Sequence, residues 1–90
     1  MTKSIFSILL GYGFQSRIDG SIHWGCGTLV SGYYAIVRHI GKDLYEVTYK
    51  EWFYDPDMEP LKDINTVSVL HGALLLQYLF ERLPIFRYWR

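Results

Sequence analysis

The sequence has one cysteine, Cys26, three prolines and no formal net charge. A single cysteine excludes an internal disulfide framework and favours a reducing compartment. Zero net charge argues against a general nucleic-acid binder, which normally carries a basic face. The apolar run 67–80 contains His71 and Gln77 and is shorter than the roughly 20 residues of a membrane-spanning helix. We therefore expect a cytoplasmic protein that makes no membrane contact and binds no nucleic acid directly.

Motifs for cofactor, metal or nucleotide binding are also missing. The glycine pairs in 11–13 and 25–27 do not complete G-x-G-x-x-G. His23 and Cys26 supply two metal ligands, whereas structural zinc usually takes four. The alternating acids of 55–59 lack the glycine and the distal Glu of a calcium loop. We therefore expect no cofactor, no metal and no enzymatic activity.

The composition itself suits one small domain with a real core. The chain has 90 residues, half of them hydrophobic, and its aromatic residues number 5 Phe, 8 Tyr and 3 Trp. We expect a single domain over 1–90, with strands in 4–53, an acidic loop over 54–64, a helix over 66–83 and a tail over 84–90. This order predicts an α+β fold in which an antiparallel sheet of four to five strands packs against one C-terminal helix.

Two hairpins are predicted in the first half of the chain. Asp19-Gly20 is typical of a type I′ turn, and we expect it to join a strand over 12–18, preceded by another over 4–10, to one that begins at Ser21. The second hairpin joins 33–40 to 44–53 through Gly41-Lys42-Asp43.

Residues alternate in character along the strand predicted over 44–53. Tyr45, Val47, Tyr49 and Phe53 share one face, and Glu46, Thr48, Lys50 and Trp52 share the other. The alternation predicts that Phe53 anchors the core and that Trp52 is an exposed contact.

The predicted helix over 66–83 is apolar on most sides. Its stripe consists of Val69, Ala73, Leu76, Phe80 and Leu83, and four further leucines widen it. A helix of this kind has to be covered on most sides. The run 67–80 is therefore also a candidate surface for a homodimeric structural subunit.

Cys26 is a second candidate for function, as a thiol nucleophile. A cysteine-dependent hydrolase or transferase needs a histidine base and exposed backbone N–H groups, and His23, His39 and His71 are the available bases. The simpler interpretation is a small residue between two glycines at a bulge.

Acidic and aromatic residues meet in the stretch 52–60. Residues 43–63 carry seven acids and two lysines, a net charge of −5, and the rest of the chain carries +5. Aromatic side chains are enriched at binding hot spots, and surrounding acids steer a basic partner. The candidate partner-binding residues are Trp52, Tyr54, Asp55, Asp57 and Glu59.

In general character the chain resembles small single-domain inhibitors of phages and mobile elements, including anti-CRISPR proteins. The resemblance is in size, compactness, lack of a catalytic motif and local acidic patches, and no specific motif carries it. It implies a binding protein that blocks a basic site on a nucleic-acid-handling partner, sterically or by mimicking phosphates.

Overall fold

The structure, a computed structural model, describes residues 4–84, and in that range it has two helices and five strands. In chain order these are α1 (Ile5–Gly11), β1 (Gln15–Ser16), β2 (Ile22–Gly27), β3 (Ser31–His39), β4 (Leu44–Tyr54), β5 (Pro60–His71) and α2 (Gly72–Arg82). The strands form one antiparallel sheet in the order β1-β2-β3-β4-β5, so each strand pairs with its neighbour in sequence. The predicted α+β class is confirmed. The tail predicted over 84–90 lies outside the described residues apart from Pro84.

The core lies between α2, α1 and one face of the sheet. Tyr45, Val47 and Tyr49 of β4 are buried on that face, as their alternation predicted. α2 packs on them through a stripe of three leucines that are 0% exposed, Leu75, Leu79 and Leu83. These leucines lie four residues apart and therefore share one side of the helix. The predicted stripe was wrong in part, because Val69 lies in β5 and Ala73 and Phe80 are exposed.

The helix predicted over 66–83 begins six residues later, at Gly72, and the loop predicted over 54–64 is only a five-residue turn. Residues 60–71 form β5 and pair with the whole of β4. Most apolar residues of 64–70 are β-branched (Ile64, Val67 and Val69), which suits a strand better than a helix. Gly72 then starts α2, where its backbone N–H donates to Asp43 Oδ1 at 3.3 Å.

The two N-terminal strands were also predicted wrongly. Residues 5–11 form α1, which Ser4 caps by accepting the N–H of Ser7 at 3.1 Å. The helix places Leu9 at 0% exposure in the core. Of the strand predicted over 12–18, only β1 remains.

Both predicted hairpins are present, but the first has a different turn. Gly20 has φ +88°, whereas Asp19 does not have the positive φ that a type I′ turn requires. Asp19 instead accepts hydrogen bonds from the Ser21 N–H at 3.0 Å and the Ser21 hydroxyl at 2.6 Å. The hydroxyl bond is the main cause that lowers the Asp19 pKa.

The sheet is much longer than the helix that covers it. An eleven-residue strand such as β4 spans about 37 Å and an eleven-residue helix such as α2 about 16 Å. α2 starts where β5 ends, so it covers the half of the sheet next to His71. Within residues 4–84, the opposite end of β4 and β5 projects beyond the helix.

Candidate protein-binding site

The projecting end of the sheet is built from two connections that meet. We call this surface the tip and define it as residues 28–30, which join β2 to β3, and residues 53–63, which include the turn between β4 and β5. The two segments are joined directly, since the Tyr54 N–H donates to the Val30 carbonyl at 2.7 Å. The tip carries four acids and one lysine, Lys62, a net charge of −3.

Asp55 holds the turn of the tip together. Its Oδ1 accepts the N–H groups of Asp57 at 2.9 Å and Glu59 at 2.8 Å. Its backbone N–H also donates to the Glu59 carbonyl at 2.9 Å. Met58, within the turn, has φ +63°, an uncommon value for a residue with a side chain. Asp55 therefore shapes the turn. The side chains of Asp57 and Glu59 are exposed, and they present negative charge at the surface of the turn.

Large apolar side chains are exposed at the tip. The exposed fractions are 86% for Leu29, 42% for Val30, 49% for Phe53, 54% for Met58 and 61% for Leu61. Single exposed apolar residues are normal on proteins, but a group of them with a charged border is typical of an interaction site. These residues, Phe53 apart, were not singled out from the sequence. The available signal was that Met58 and Leu61 are apolar residues within a predicted exposed loop.

The exposure predicted for Trp52 and Phe53 is reversed, because Phe53 is exposed and Trp52 is half-buried. Trp52 is half-buried, lies over Gly32 and donates its indole N–H to the Thr28 carbonyl at 2.8 Å. Phe53 does point to the same face as Tyr49, but there the face is beyond α2, so half of the ring is exposed. Trp52 therefore fixes the 28–30 loop to the sheet, and Phe53 is the more exposed of the two side chains. Tyr54, also half-buried, joins the two segments of the tip through its backbone.

Glu51 separates the tip from the core. Its carboxylate accepts the Tyr49 hydroxyl at 2.7 Å and lies 2.8 Å from Lys62 Nζ. Burial, followed by this hydrogen bond, raises the pKa of Tyr49. The hydrogen bond to Glu51 also raises the pKa of Lys62. Glu51 and Lys62 are thus paired with each other, and neither charge is free for a partner.

The seven acids of residues 43–63 do not form one surface. Asp43 lies at the opposite end of the sheet, where it caps Gly72 and approaches His71 Nδ1 at 3.7 Å. Glu46 also lies toward that end, where it is opposite Arg38 in the pairing of β3 with β4. The acidic surface at the tip therefore consists of Asp57, Glu59 and Asp63, with Asp55 beneath the turn.

The histidines are not placed to activate Cys26. Cys26 is exposed in β2, and His23, three residues away in the same strand, points to the opposite face. His39 is six residues along β3 from Tyr33, the pairing partner of Cys26, or roughly 20 Å away. His71 pairs with Leu44 at that same distant end. Cys26 lines two shallow depressions, one of about 280 Å³ that has no histidine in its lining and one of about 310 Å³ whose lining also includes His23.

No group of three His, Cys, Asp or Glu side chains that could hold a metal ion occurs within the described range 4–84. In the same range, neither helix is long and apolar enough to cross a membrane. Comparison of the chain with protein-family models, with curated proteins and with solved structures found no match.

Proposed function

We propose that this chain is a non-enzymatic protein-binding module that docks its tip onto a basic site of a nucleic-acid-handling partner. The partner's site is blocked either sterically or by carboxylates that occupy the positions of phosphates. In this proposal the chain acts as a small inhibitor of the phage anti-defence type, which includes anti-CRISPR proteins.

The observation that carries the proposal is the composition of the tip. Five large apolar side chains are exposed beside Asp57, Glu59 and Asp63. An apolar centre supplies the area that stabilises a protein complex, and charges at the border supply orientation and rate of encounter. Exposed acids select a partner whose complementary border is basic, and basic borders are the usual feature of nucleic-acid-binding surfaces.

The architecture supports the same conclusion. The Asp55 turn and the hydrogen bond from Trp52 to Thr28 hold both segments of the tip in one conformation. A pre-organised surface loses less conformational entropy on binding than a flexible loop does. In this proposal Asp55, Trp52 and Tyr54 support the tip, and Asp57 and Glu59, of the five predicted contact residues, touch the partner directly.

A charge-reversal pair tests the proposal. The variant Asp57→Lys with Glu59→Lys changes the charge of the tip by +4 and leaves the Asp55 hydrogen bonds in place, because those use the backbone N–H groups of both residues. The control Glu46→Lys with Glu81→Lys makes the same charge change outside the tip. Each form is used as bait in the native host, and the affinity of every captured protein is then measured with purified components.

We expect a partner that binds the wild type and the control but not the tip variant. Its binding should weaken as salt is raised and should compete with nucleic acid. Leu61→Ser should also weaken binding, because it removes apolar area without a change in charge. Equal affinity for the tip variant and the wild type would contradict the proposed surface. Binding that nucleic acid leaves unchanged would contradict the blocking of a nucleic-acid site.

A further inference from the structure

β5 is a long strand at the edge of the sheet. It runs for 12 residues and pairs with β4 on one side. Its other side has no pairing strand among the residues that the structure describes. Natural proteins protect such edges with prolines, charges or short strands. Here Pro60, Lys62 and Asp63 protect only the beginning of β5, and residues 64–70 contain neither proline nor charge.

Apolar side chains border this edge on both faces of the sheet. On the face away from the helices, Val67 and Val69 are 62% and 54% exposed. On the helix face, Leu70 and the 53% exposed Leu74 line an open groove of about 230 Å³ between β5 and α2. A strand added to this edge would therefore cover apolar surface on both sides while it completes the backbone hydrogen bonds.

We propose that β5 pairs antiparallel with β5 of a second copy of this chain, about a two-fold axis at Val67. In this register the strand residues lie opposite residues of matching character except at Asn65, which faces Val69. Ile64 faces Leu70 of the second copy, Thr66 faces Ser68, and Val67 faces Val67. Asp63 faces His71, so a carboxylate lies opposite an imidazole at both ends of the interface.

Neighbouring registers match less well. Moving the axis to Thr66 sets Asp63 against Val69 and Ile64 against Ser68. Moving it to Ser68 sets Thr66 against Leu70 and leaves Asp63 outside the paired strands. An axis between two residues would set each side chain opposite one that points to the other face of the sheet, which the pleat of an antiparallel pair does not allow. Of these three registers, the one at Val67 alone sets Asp63 against His71 and Ile64 against Leu70, and it places both α2 helices on one face with Leu74 at the seam.

This proposed dimer differs from the one expected from the run 67–80, because the strand edge and not the helix makes the contact. It shares Asp63 with the tip but otherwise uses residues 64–71 of the β5 edge, so substitutions elsewhere in the tip and at Val67 test the two surfaces separately. The dimer is a continuous ten-stranded sheet. Because its two β5 strands are antiparallel, the two tips point in opposite directions.

Charged substitutions at Val67, made with either sign, test the interface and its axis together. In Val67→Lys, or in Val67→Glu, two like charges would face each other across the two-fold axis, which destabilises a strand pair. We expect each variant to weaken the dimer by roughly tenfold or more, about 1.4 kcal/mol for each factor of ten. An equal mixture of the two variants should restore the dimer, because every axis then carries one lysine and one glutamate.

The measurement is sedimentation velocity of the full chain, with circular dichroism to check that each variant is folded. Leu29→Lys, at an equally accessible tip position, is the control and should leave the dimer unchanged. A wild type that stays monomeric at its highest soluble concentration would overturn the proposal. So would a dimer that neither variant weakens, and a mixture that fails to restore the dimer would overturn the axis at Val67.

Discussion

The indole ring of Trp52 lies directly over Gly32, its pairing partner on the neighbouring strand. The same relationship recurs one strand further, where the ring of Tyr34 lies over its partner Gly25. In both pairs a residue without a side chain leaves room for an aromatic ring to lie flat on the sheet. Gly25 and Gly32 therefore serve the packing of aromatic rings across strands.

Gly32→Ala should destabilise the fold, because the added Cβ would collide with the Trp52 ring and would lie 2.7 Å from the Cys26 carbonyl oxygen. We expect the free energy of unfolding to fall by about 1–3 kcal/mol, the usual cost of overpacking. Urea unfolding followed by tryptophan fluorescence measures the change. The control is Gly11→Ala, where a Cβ would meet no atom within 4 Å, and an equal effect of both variants would contradict this account.

Asp55→Ala should open the turn of the tip. The variant removes the acceptor of two backbone N–H groups, and hydrogen bonds to a charged group contribute about 1.5–3 kcal/mol. Asp57→Ala is the matched control, since the exposed Asp57 side chain can be lost within about ±0.5 kcal/mol. Amide hydrogen exchange at Asp57 and Glu59 should accelerate in the first variant. Unchanged exchange there would show that Asp55 does not hold the turn.

The central sheet could be predicted because its signals are local. The alternation of Tyr45, Val47 and Tyr49 and the short Gly41 loop determine a hairpin whatever surrounds it. Burial was harder to predict at the end of β4. Alternation places Phe53 correctly on the core face but cannot show where the covering helix stops. For the same reason the exposed apolar residues of the tip, which depend on the length of α2 relative to β4, could not be derived from periodicity.

The ends of the chain were mispredicted for a different reason. Residues 5–10 and 67–70 are short, mostly apolar segments, and such segments suit a strand or a helix almost equally. For α1 the deciding feature is the Ser4 cap, and for β5 it is the eleven-residue partner strand β4. The second of these is a tertiary effect, because β4 offers backbone partners as far as Leu44 and so keeps residues 66–71 extended.

Leu79→Ala should be among the more damaging single changes in the core. Leu79 is 0% exposed and lies in the middle of the α2 stripe between Leu75 and Leu83. Loss of a fully buried leucine side chain costs about 2–5 kcal/mol, partly through the cavity it leaves. Leu29→Ala, at 86% exposure, makes the same chemical change and should cost little. Chemical denaturation of both variants measures the difference, and similar midpoints would contradict the assigned core.

The stability of the fold should decline in alkali because of Tyr49. Burial and the Glu51 hydrogen bond raise its pKa above the ordinary 10.0. Above pH 10 the unfolded chain therefore loses the phenol proton while the folded chain keeps it. The unfolded state then binds fewer protons, so the free energy of unfolding falls as pH rises. This contribution is complete below pH 10 and is lost above it.

Tyr49→Phe has no proton to lose and should flatten this decline, although the lost hydrogen bond lowers its stability at neutral pH. We therefore compare the slope of the free energy of unfolding against pH, from pH 9 upward, in the two proteins. Urea unfolding measures this free energy at each pH. Burial also raises the pKa of Tyr45, so Tyr45→Phe with Tyr49→Phe should give a slope flatter still. If Tyr49→Phe keeps the wild-type slope, the phenol of Tyr49 titrates alike in both states and the Glu51 contact does not hold its proton.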